Sequence, residues 1–376
     1  MKFVVSSTEL LSHLQTVSRV ISNKNTLPIL DHFLFQLTGN VLTITASDLE
    51  TTLITSLNLE NVSEEGVVAV PAKLLTDTLK EFSEQPLTFD VNQDTKAVVI
   101  NSETGKFSLP GQDGEDFPAI PTLREERKSM LQTSAETLLS GISKTLFATA
   151  DDELRAVMNG IFIELTPTDV TFVATDAHKL VRYKRMDIKS ENSASFILPK
   201  KPAGLLKTVL SRDANNVMVE FDDKNAFFTM TSYKMICRLV EGTYPSYSTV
   251  IPTNNPNTLT IDRLELFNAL KRVAVFSNQA SNLVKLQLAG NQITISAQDL
   301  DFSISAYERL SCLFEGDDME IGFKSTFLIE ILSNLSSSDV QLKLSDPSRA
   351  GLILPTEKEI DDEDTLMLLM PMMINA

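Results

Sequence analysis

The sequence predicts an α+β fold of three tandem domains, each built from two strand–helix–three-strand units. One heptapeptide is written three times, as Leu42-Thr43-Ile44-Thr45-Ala46-Ser47-Asp48, Val170-Thr171-Phe172-Val173-Ala174-Thr175-Asp176 and Ile293-Thr294-Ile295-Ser296-Ala297-Gln298-Asp299. Its alternation places every second apolar residue on one pleat face, the pattern of a half-buried strand. The closing aspartates stand 128 and 123 residues apart, and a lysine follows each by 25 positions, at Lys73, Lys201 and Lys324. Leu10, Leu138 and Leu266, each 128 residues from the next, sit in similar amphipathic segments. A period this long describes whole domains rather than a solenoid, and the expected boundaries are 1–122, 129–252 and 257–376.

Taken in order, residues 2–6 alternate as a strand, and a helix starts near Ser7 with Leu10, Leu14, Val17 and Ile21 on one stripe. Strands follow at 33–37, after a turn at Gly39-Asn40 at the marker, and again at 53–59 and 67–70. Pro71-Ala72 opens the second helix, with Leu75, Leu79 and Phe82 inward. A hairpin over 87–91 and 97–101 and a strand over 106–109 complete the repeat. After the linker at 121–128, the second repeat places helices at 135–149 and 202–211 and turns its hairpin at Asp222-Asp223-Lys224-Asn225. A proline and asparagine linker at 252–256 leads to the third, with helices at 263–277 and 325–336 and a turn at Ser345-Asp346-Pro347-Ser348. An acidic loop at 361–364 precedes an apolar end over 366–374.

Composition narrows the function classes. The 376 residues are 43% hydrophobic and 22% charged, no apolar run reaches 18 residues, and the start is too short in apolar residues for a secretory signal. A cytoplasmic protein without membrane contact is expected, and two isolated cysteines, Cys237 and Cys312, agree with a reducing compartment. A net charge of -17 opposes indiscriminate coating of nucleic acid. The helices differ from the whole: windows 7–24, 72–83, 134–150, 200–212, 262–281 and 324–337 hold 13 Lys or Arg against 7 Asp or Glu, so +6 there leaves -23 elsewhere. Two helices per repeat, packed side by side on sheet, would gather their polar faces on one side. A polyanion is then drawn to the helices and repelled by the rest. No helix carries the Arg and Asn pattern of base readout, so such binding ignores sequence.

Catalytic signals are sparse. His178 follows Asp176 by two, but Glu50 and Asp301 hold its place in the other repeats, so the repeat has no common acid–base group. GxSxG, HExxH and P-loop patterns are absent from the sequence, and neither metal nor cofactor is expected. Asp48, Asp176 and Asp299 end strands before turns, where a carboxylate bonds backbone N–H groups. A hydrolase using Asp176 and His178, and a scaffold that binds only proteins, are the alternatives. Met370, Met372 and Met373 around Pro371 form an adaptable surface for a peptide, or else the end of a core strand.

Thr26-Leu27-Pro28-Ile29-Leu30, Ala174-Thr175-Asp176-Ala177-His178-Lys179-Leu180, Tyr244-Pro245 and Met370-Pro371-Met372 occur in this order along the whole chain. In them the sequence resembles the beta subunits of bacterial DNA polymerase III, the DNA sliding clamps. The resemblance implies three DNA-clamp domains forming half of a ring, with helices inside and antiparallel sheets outside. A head-to-tail homodimer would encircle double-stranded DNA and catalyse nothing itself. Its partners would be the DNA polymerase III alpha subunit, the clamp loader, and other polymerases and repair proteins that carry short, apolar, Gln-led motifs. By the same resemblance Lys24, Lys73, Lys80, Lys200 and Lys201 face DNA, and Phe107 and Leu109 meet Val275 and Phe276 of the other copy. The peptide pocket falls on Arg155, Met158, Thr175, Ala177, His178, Leu180, Pro245, Val250, Phe327, Leu368, Met370, Pro371 and Met372. Several relatives carry a basic residue at the place of Thr249, a glycine at that of Ala177 and aromatic residues near Ala156 and Val157. A shifted peptide preference and no base stacking at that loop are therefore expected, and the tail from Met373 onward is expected to reach the pocket rim.

Overall fold

A computed structural model describes residues 1–22, 24–212 and 215–374. Among them six α-helices stand where the periodicity places them: α1 (Ser7–Val17), α2 (Ala72–Lys80), α3 (Ala135–Thr145), α4 (Lys200–Leu210), α5 (Arg263–Ala274) and α6 (Ser325–Ser333). Ser6 caps α1 through its hydroxyl, which accepts from the Glu9 N–H, and Leu10, Leu14 and Val17 are buried. The stripe then departs from expectation. Residues Ser18–Val20 tighten into a 3-10 turn, so Val20 takes the inward place three positions after Val17 and Ile21 is only half-buried.

The chain divides into two compact units. Unit one comprises Met1–Leu139 and Gly204–Leu239, unit two Ser140–Ala203 and Val240–Ala376. The division crosses the second repeat for a reason visible in the ladders. In unit one, the strand before α1 (Lys2–Ser6) pairs with the strand after α2 (Pro86–Val91) inside a five-stranded sheet whose edges are Asn61–Glu64 and Lys106–Leu109. The other sheet has eight strands, because Thr51–Asn58 of repeat one pairs antiparallel with Tyr233–Arg238 of repeat two, Thr51 opposite Cys237. Unit two repeats this scheme. Lys179–Arg185 of repeat two pairs with Glu363–Leu369 of repeat three, Lys179 opposite Leu369, within a nine-stranded sheet. A four-stranded sheet there ends on Ile304–Ser311. The last strand of one repeat's first half thus joins the last strand of the next repeat's second half.

Each unit has its own core. In unit one α1 packs on α2, and Phe3, Phe33, Phe35 and Phe89 are fully buried, with the rings of Phe3 and Phe89 stacked at 5.0 Å. In unit two α5 packs on α6, while Phe172, Tyr183 and Phe323 are fully buried. Each such side chain contributes about 1.5–3 kcal/mol by area. Gly141 of α3 is needed for this: a Cβ there would stand 2.5 Å from the Phe172 ring. Two strands carried no sequence signal, Asn61–Glu64 and Leu313–Glu315. Both are short sheet edges with mostly exposed side chains, too brief for an alternation to register.

Glu363 ties the second and third repeats within unit two. Its Oε2 accepts from Lys144 Nζ at 3.0 Å and from the Tyr183 hydroxyl at 3.0 Å, and its Oε1 accepts from the Glu359 N–H at 2.8 Å. The apolar C-terminal run separates into two parts. Leu366 to Leu369 are buried core, whereas Met370 and Met373 are exposed beyond it.

Candidate docking site and cationic helix ends

The candidate docking site begins at the turn after the marker strand. Asp176 Oδ1 accepts from the backbone N–H of both His178 and Lys179 at 2.9 Å, and Thr175 Oγ1 accepts from the Ala177 N–H at 3.1 Å. The first repeat builds the same turn: Asp48 Oδ1 accepts from the N–H groups of Glu50 and Thr51, and Ser47 Oγ from that of Leu49. In the third, Asp299 Oδ1 accepts from the Asp301 N–H. The three aspartates hold turns, as their position at strand ends predicted. Oδ2 of Asp176 is taken by Lys179 Nζ at 3.0 Å, and that ammonium also meets Glu330 at 2.9 Å. The Asp176 carboxylate bonds the backbone of His178 rather than its ring, and that ring stacks on Phe327 at 5.9 Å. Nothing in this arrangement makes Asp176 and His178 an acid–base pair.

Ala177 adopts φ 73°, a left-handed conformation that costs a residue with a Cβ roughly 1–2 kcal/mol. Ala177→Gly removes that strain at the expense of a looser unfolded chain. The expected result is a neutral to slightly raised melting temperature, worth at most ~1 kcal/mol; a marked loss would show that the Ala177 methyl packs against the fold.

The rest of the site assembles on this turn, entirely within unit two. Leu180 lies opposite Leu368 in the ladder, and both are buried, so they form a floor with Tyr244, Leu352 and Leu366. The Met370 N–H donates to the His178 carbonyl at 2.8 Å, which brings an exposed thioether beside the turn. Phe327, supported by the ammonium groups of Lys179 at 4.4 Å and Lys324 at 4.7 Å, forms another wall. Pro245 is half-buried and Val250 exposed; their loop is fixed where Tyr244 stacks on Phe162 at 4.8 Å and the Tyr247 hydroxyl donates to Glu164 at 2.8 Å. Arg155 is exposed and paired with Asp152 at 2.8 Å, Met158 is half-buried, and Thr175 is buried. Thr249 uses its hydroxyl on the Ser246 carbonyl. Ala156 is exposed, while Val157 is half-buried against the floor cluster.

Pro371 and Met372 follow as a strap that the sequence did not disclose. The Met372 N–H donates to the Gly322 carbonyl at 2.8 Å, and a Cβ at Gly322 would stand 2.8 Å from the Met372 carbonyl oxygen and 3.0 Å from Ile374. The described part of the tail therefore runs along Gly322, with Met373 exposed; Asn375 and Ala376 lie outside the described residues. Gly322→Ala is expected to loosen the strap, seen as faster amide exchange at Met372 with the ladder partner of Leu368 unchanged.

The lysines collect at helix ends. Lys73 is exposed in the first turn of α2, and Lys80, in its last turn, pairs with Asp77 at 2.9 Å. Lys200 and Lys201 open α4, the former 2.6 Å from Asp151, and Lys24 is exposed beyond the turn that follows α1. Lys324 occupies the N-cap of α6. A lysine at a helix N-terminus opposes the helix dipole, yet each repeat places one there, and neither α2 nor α6 has a side-chain cap. Positive charge and open N–H groups together suit an anion. Exposed pairs such as Lys80 with Asp77 hold these charges only weakly.

The residues expected between copies separate by exposure. Phe107 is 38% exposed and edge-on to Phe82, Val275 is 74% and Phe276 37% exposed, whereas Leu109 faces the core of its own sheet. Sequence reasoning missed Leu300, Phe302 and Tyr307, which are 80%, 74% and 65% exposed around the free edge Ile304–Ser311. Large apolar residues in the turn after the third marker, where polar ones are usual, were the available signal. Among the described residues no cluster of His, Cys, Asp and Glu could hold a metal ion, and no helix is long and apolar enough to cross a membrane.

Models of the N-terminal, central and C-terminal domains of the DNA polymerase III beta subunit match residues 1–121, 132–246 and 248–373. A beta sliding clamp of Proteus mirabilis is 30% identical over 92% of this chain and 94% of its own. Another, of Pseudomonas putida, is 29% identical over 99% of this chain and 100% of its own. Among solved structures, the sliding clamp of Pseudomonas aeruginosa bound to griselimycin covers all of both chains with a TM-score of 0.93 at 26% identity.

Proposed function

This chain belongs to the DNA polymerase III beta subunit family, the sliding clamps, and as a processivity factor for DNA replication it works, we propose, as a homodimeric ring around duplex DNA. The observation that carries the proposal is the pairing rule of the sheets. The last strand of a repeat's first half joins that of the next repeat's second half at Thr51–Asn58 with Tyr233–Arg238, and again at Lys179–Arg185 with Glu363–Leu369. Two such strands remain, Ile304–Ser311 of the third repeat and Lys106–Leu109 of the first, each paired on one side only. The third junction is completed by another copy: Ile304–Ser311 of one protomer takes Lys106–Leu109 of its partner, and the reciprocal contact closes a two-fold assembly. Phe107, Val275 and Phe276 flank that junction, and Leu109 contributes through its backbone. Domains at 1–122, 129–252 and 257–376 fit this scheme.

Lys24, Lys73, Lys80, Lys200 and Lys201 attract phosphates without reading bases, and the surrounding negative charge keeps the attraction weak enough for sliding. Closure, not affinity, retains the DNA. The turn and strap in unit two dock the DNA polymerase III alpha subunit, the clamp loader and other polymerases and repair proteins through short apolar motifs. The protein is a scaffold in these exchanges rather than a catalyst, working in the cytoplasm. Light scattering on the eluting protein is expected to give twice the 41.6 kDa protomer mass; a monomer at micromolar concentration contradicts the junction. Met370→Ala with Met372→Ala is expected to weaken a Leu- and Phe-containing peptide at least tenfold, since each buried thioether contact contributes roughly 1.4 kcal/mol or more, while the melting temperature is unchanged. Equal affinity would remove the pocket assignment.

A further inference from the structure

We propose that the junction of the first and second repeats carries a second peptide-docking site, the internal counterpart of the one in unit two. The correspondence is residue by residue. Thr51 lies opposite Cys237 as Lys179 lies opposite Leu369, and the Arg238 N–H donates to the Glu50 carbonyl at 2.8 Å as the Met370 N–H donates to that of His178. Leu49 therefore stands for Ala177, Glu50 for His178, Thr52 for Leu180, Ile236 for Leu368 and Arg238 for Met370. A cleft of about 280 Å³ opens at this place, lined by these residues and Lys224, and all of it belongs to unit one.

Leu49 gives a second, independent reason. It adopts φ 75°, which disfavours any side chain larger than hydrogen, and it leaves a leucine 48% exposed. Neither burial nor turn geometry accounts for a leucine there, whereas an apolar anchor covered by a ligand does. The chemistry of the ligand differs from that of the first site. The floor is apolar at Ile236 and Cys237 but has Thr52 where the first site has Leu180, and the rim holds exposed Lys224 and Arg238 against one carboxylate, Glu50, so it is net positive where the unit-two pocket has methionines. The occupant is a short extended peptide with an apolar residue next to an acidic one.

The inference uses the first site only as an analogy, and the test reads the two separately. Full-length protein is panned against a displayed heptapeptide library, and the retained peptides are resynthesised and titrated. The expected result is a set of acidic-apolar peptides that loses at least tenfold affinity to Leu49→Gly and to Lys224→Glu and is unaffected by Met370→Ala. Leu49→Gly suits the left-handed turn, so the fold survives, and a melting curve checks this. Absence of any Leu49-dependent peptide overturns the second site. A retained set that includes Leu49-dependent peptides but no peptide weakened by Met370→Ala would uphold the second site while removing the assignment of the first.

Discussion

Replacing Val275 and Phe276 together by aspartate is expected to split the dimer into protomers and abolish processivity while each protomer stays folded. Both side chains protrude, at 74% and 37% exposure, so neither supports its own core, and Val275 is the C-cap that ends α5. They stand with Leu300, Phe302 and Tyr307 around an unpaired strand, an apolar patch of the kind that marks an interface. Central interface anchors cost about 2 kcal/mol or more each on truncation, and a buried unpaired carboxylate adds to that. The dissociation constant should rise roughly a thousandfold or more, read by sedimentation at nanomolar to micromolar protein. A dimer that withstands the double substitution would move the interface elsewhere.

Glu363→Ala is expected to cost the protein about 3–5 kcal/mol, the range for removing one partner of a buried ion pair. Glu363 is 3% exposed and Lys144 16%, at 3.0 Å, and the fully buried Tyr183 donates its hydroxyl to the same oxygen. Removing the carboxylate leaves the phenol without its acceptor and Lys144 with only half-exposed Glu359, at 2.8 Å. The strand Glu363–Leu369 also carries the floor of the proposed docking site, so the variant should weaken peptide binding with stability. Glu363→Gln retains an acceptor and should lose about half as much. Calorimetry of the two variants separates them; equal small losses would show that water replaces the carboxylate.

Much of this fold was legible because its signals are local and repeated. The alternation through Phe172 and its two counterparts and the stripe of Leu10, Leu14 and Val17 each need only a few neighbouring residues. Where the chain tightened into a 3-10 turn, the helical period misplaced Ile21, because a change from 3.6 to 3.0 residues per turn leaves no compositional mark. The fusion of repeats was hidden for another reason. Nothing in the composition of Tyr233–Arg238 selects Thr51–Asn58 as its partner; any half-buried antiparallel strand presents the same backbone. At the docking site the turn at Asp176 and the methionines could be read, but the role of Gly322 could not, since it depends on a backbone approach from residue 372. Leu300 and Phe302 are legible as apolar residues in a turn, but single exposed apolar side chains are common, so neither marks an interface by itself.

The central claim is that two copies enclose duplex DNA and hold it by closure rather than by grip. The most direct measurement loads the protein onto nicked circular DNA, removes free protein by gel filtration, and then cuts the circle once. Retention on the circle through moderate salt, with release on linearisation, is the predicted result. Equal retention on circular and linear DNA, or loss from both at the same salt, would contradict it.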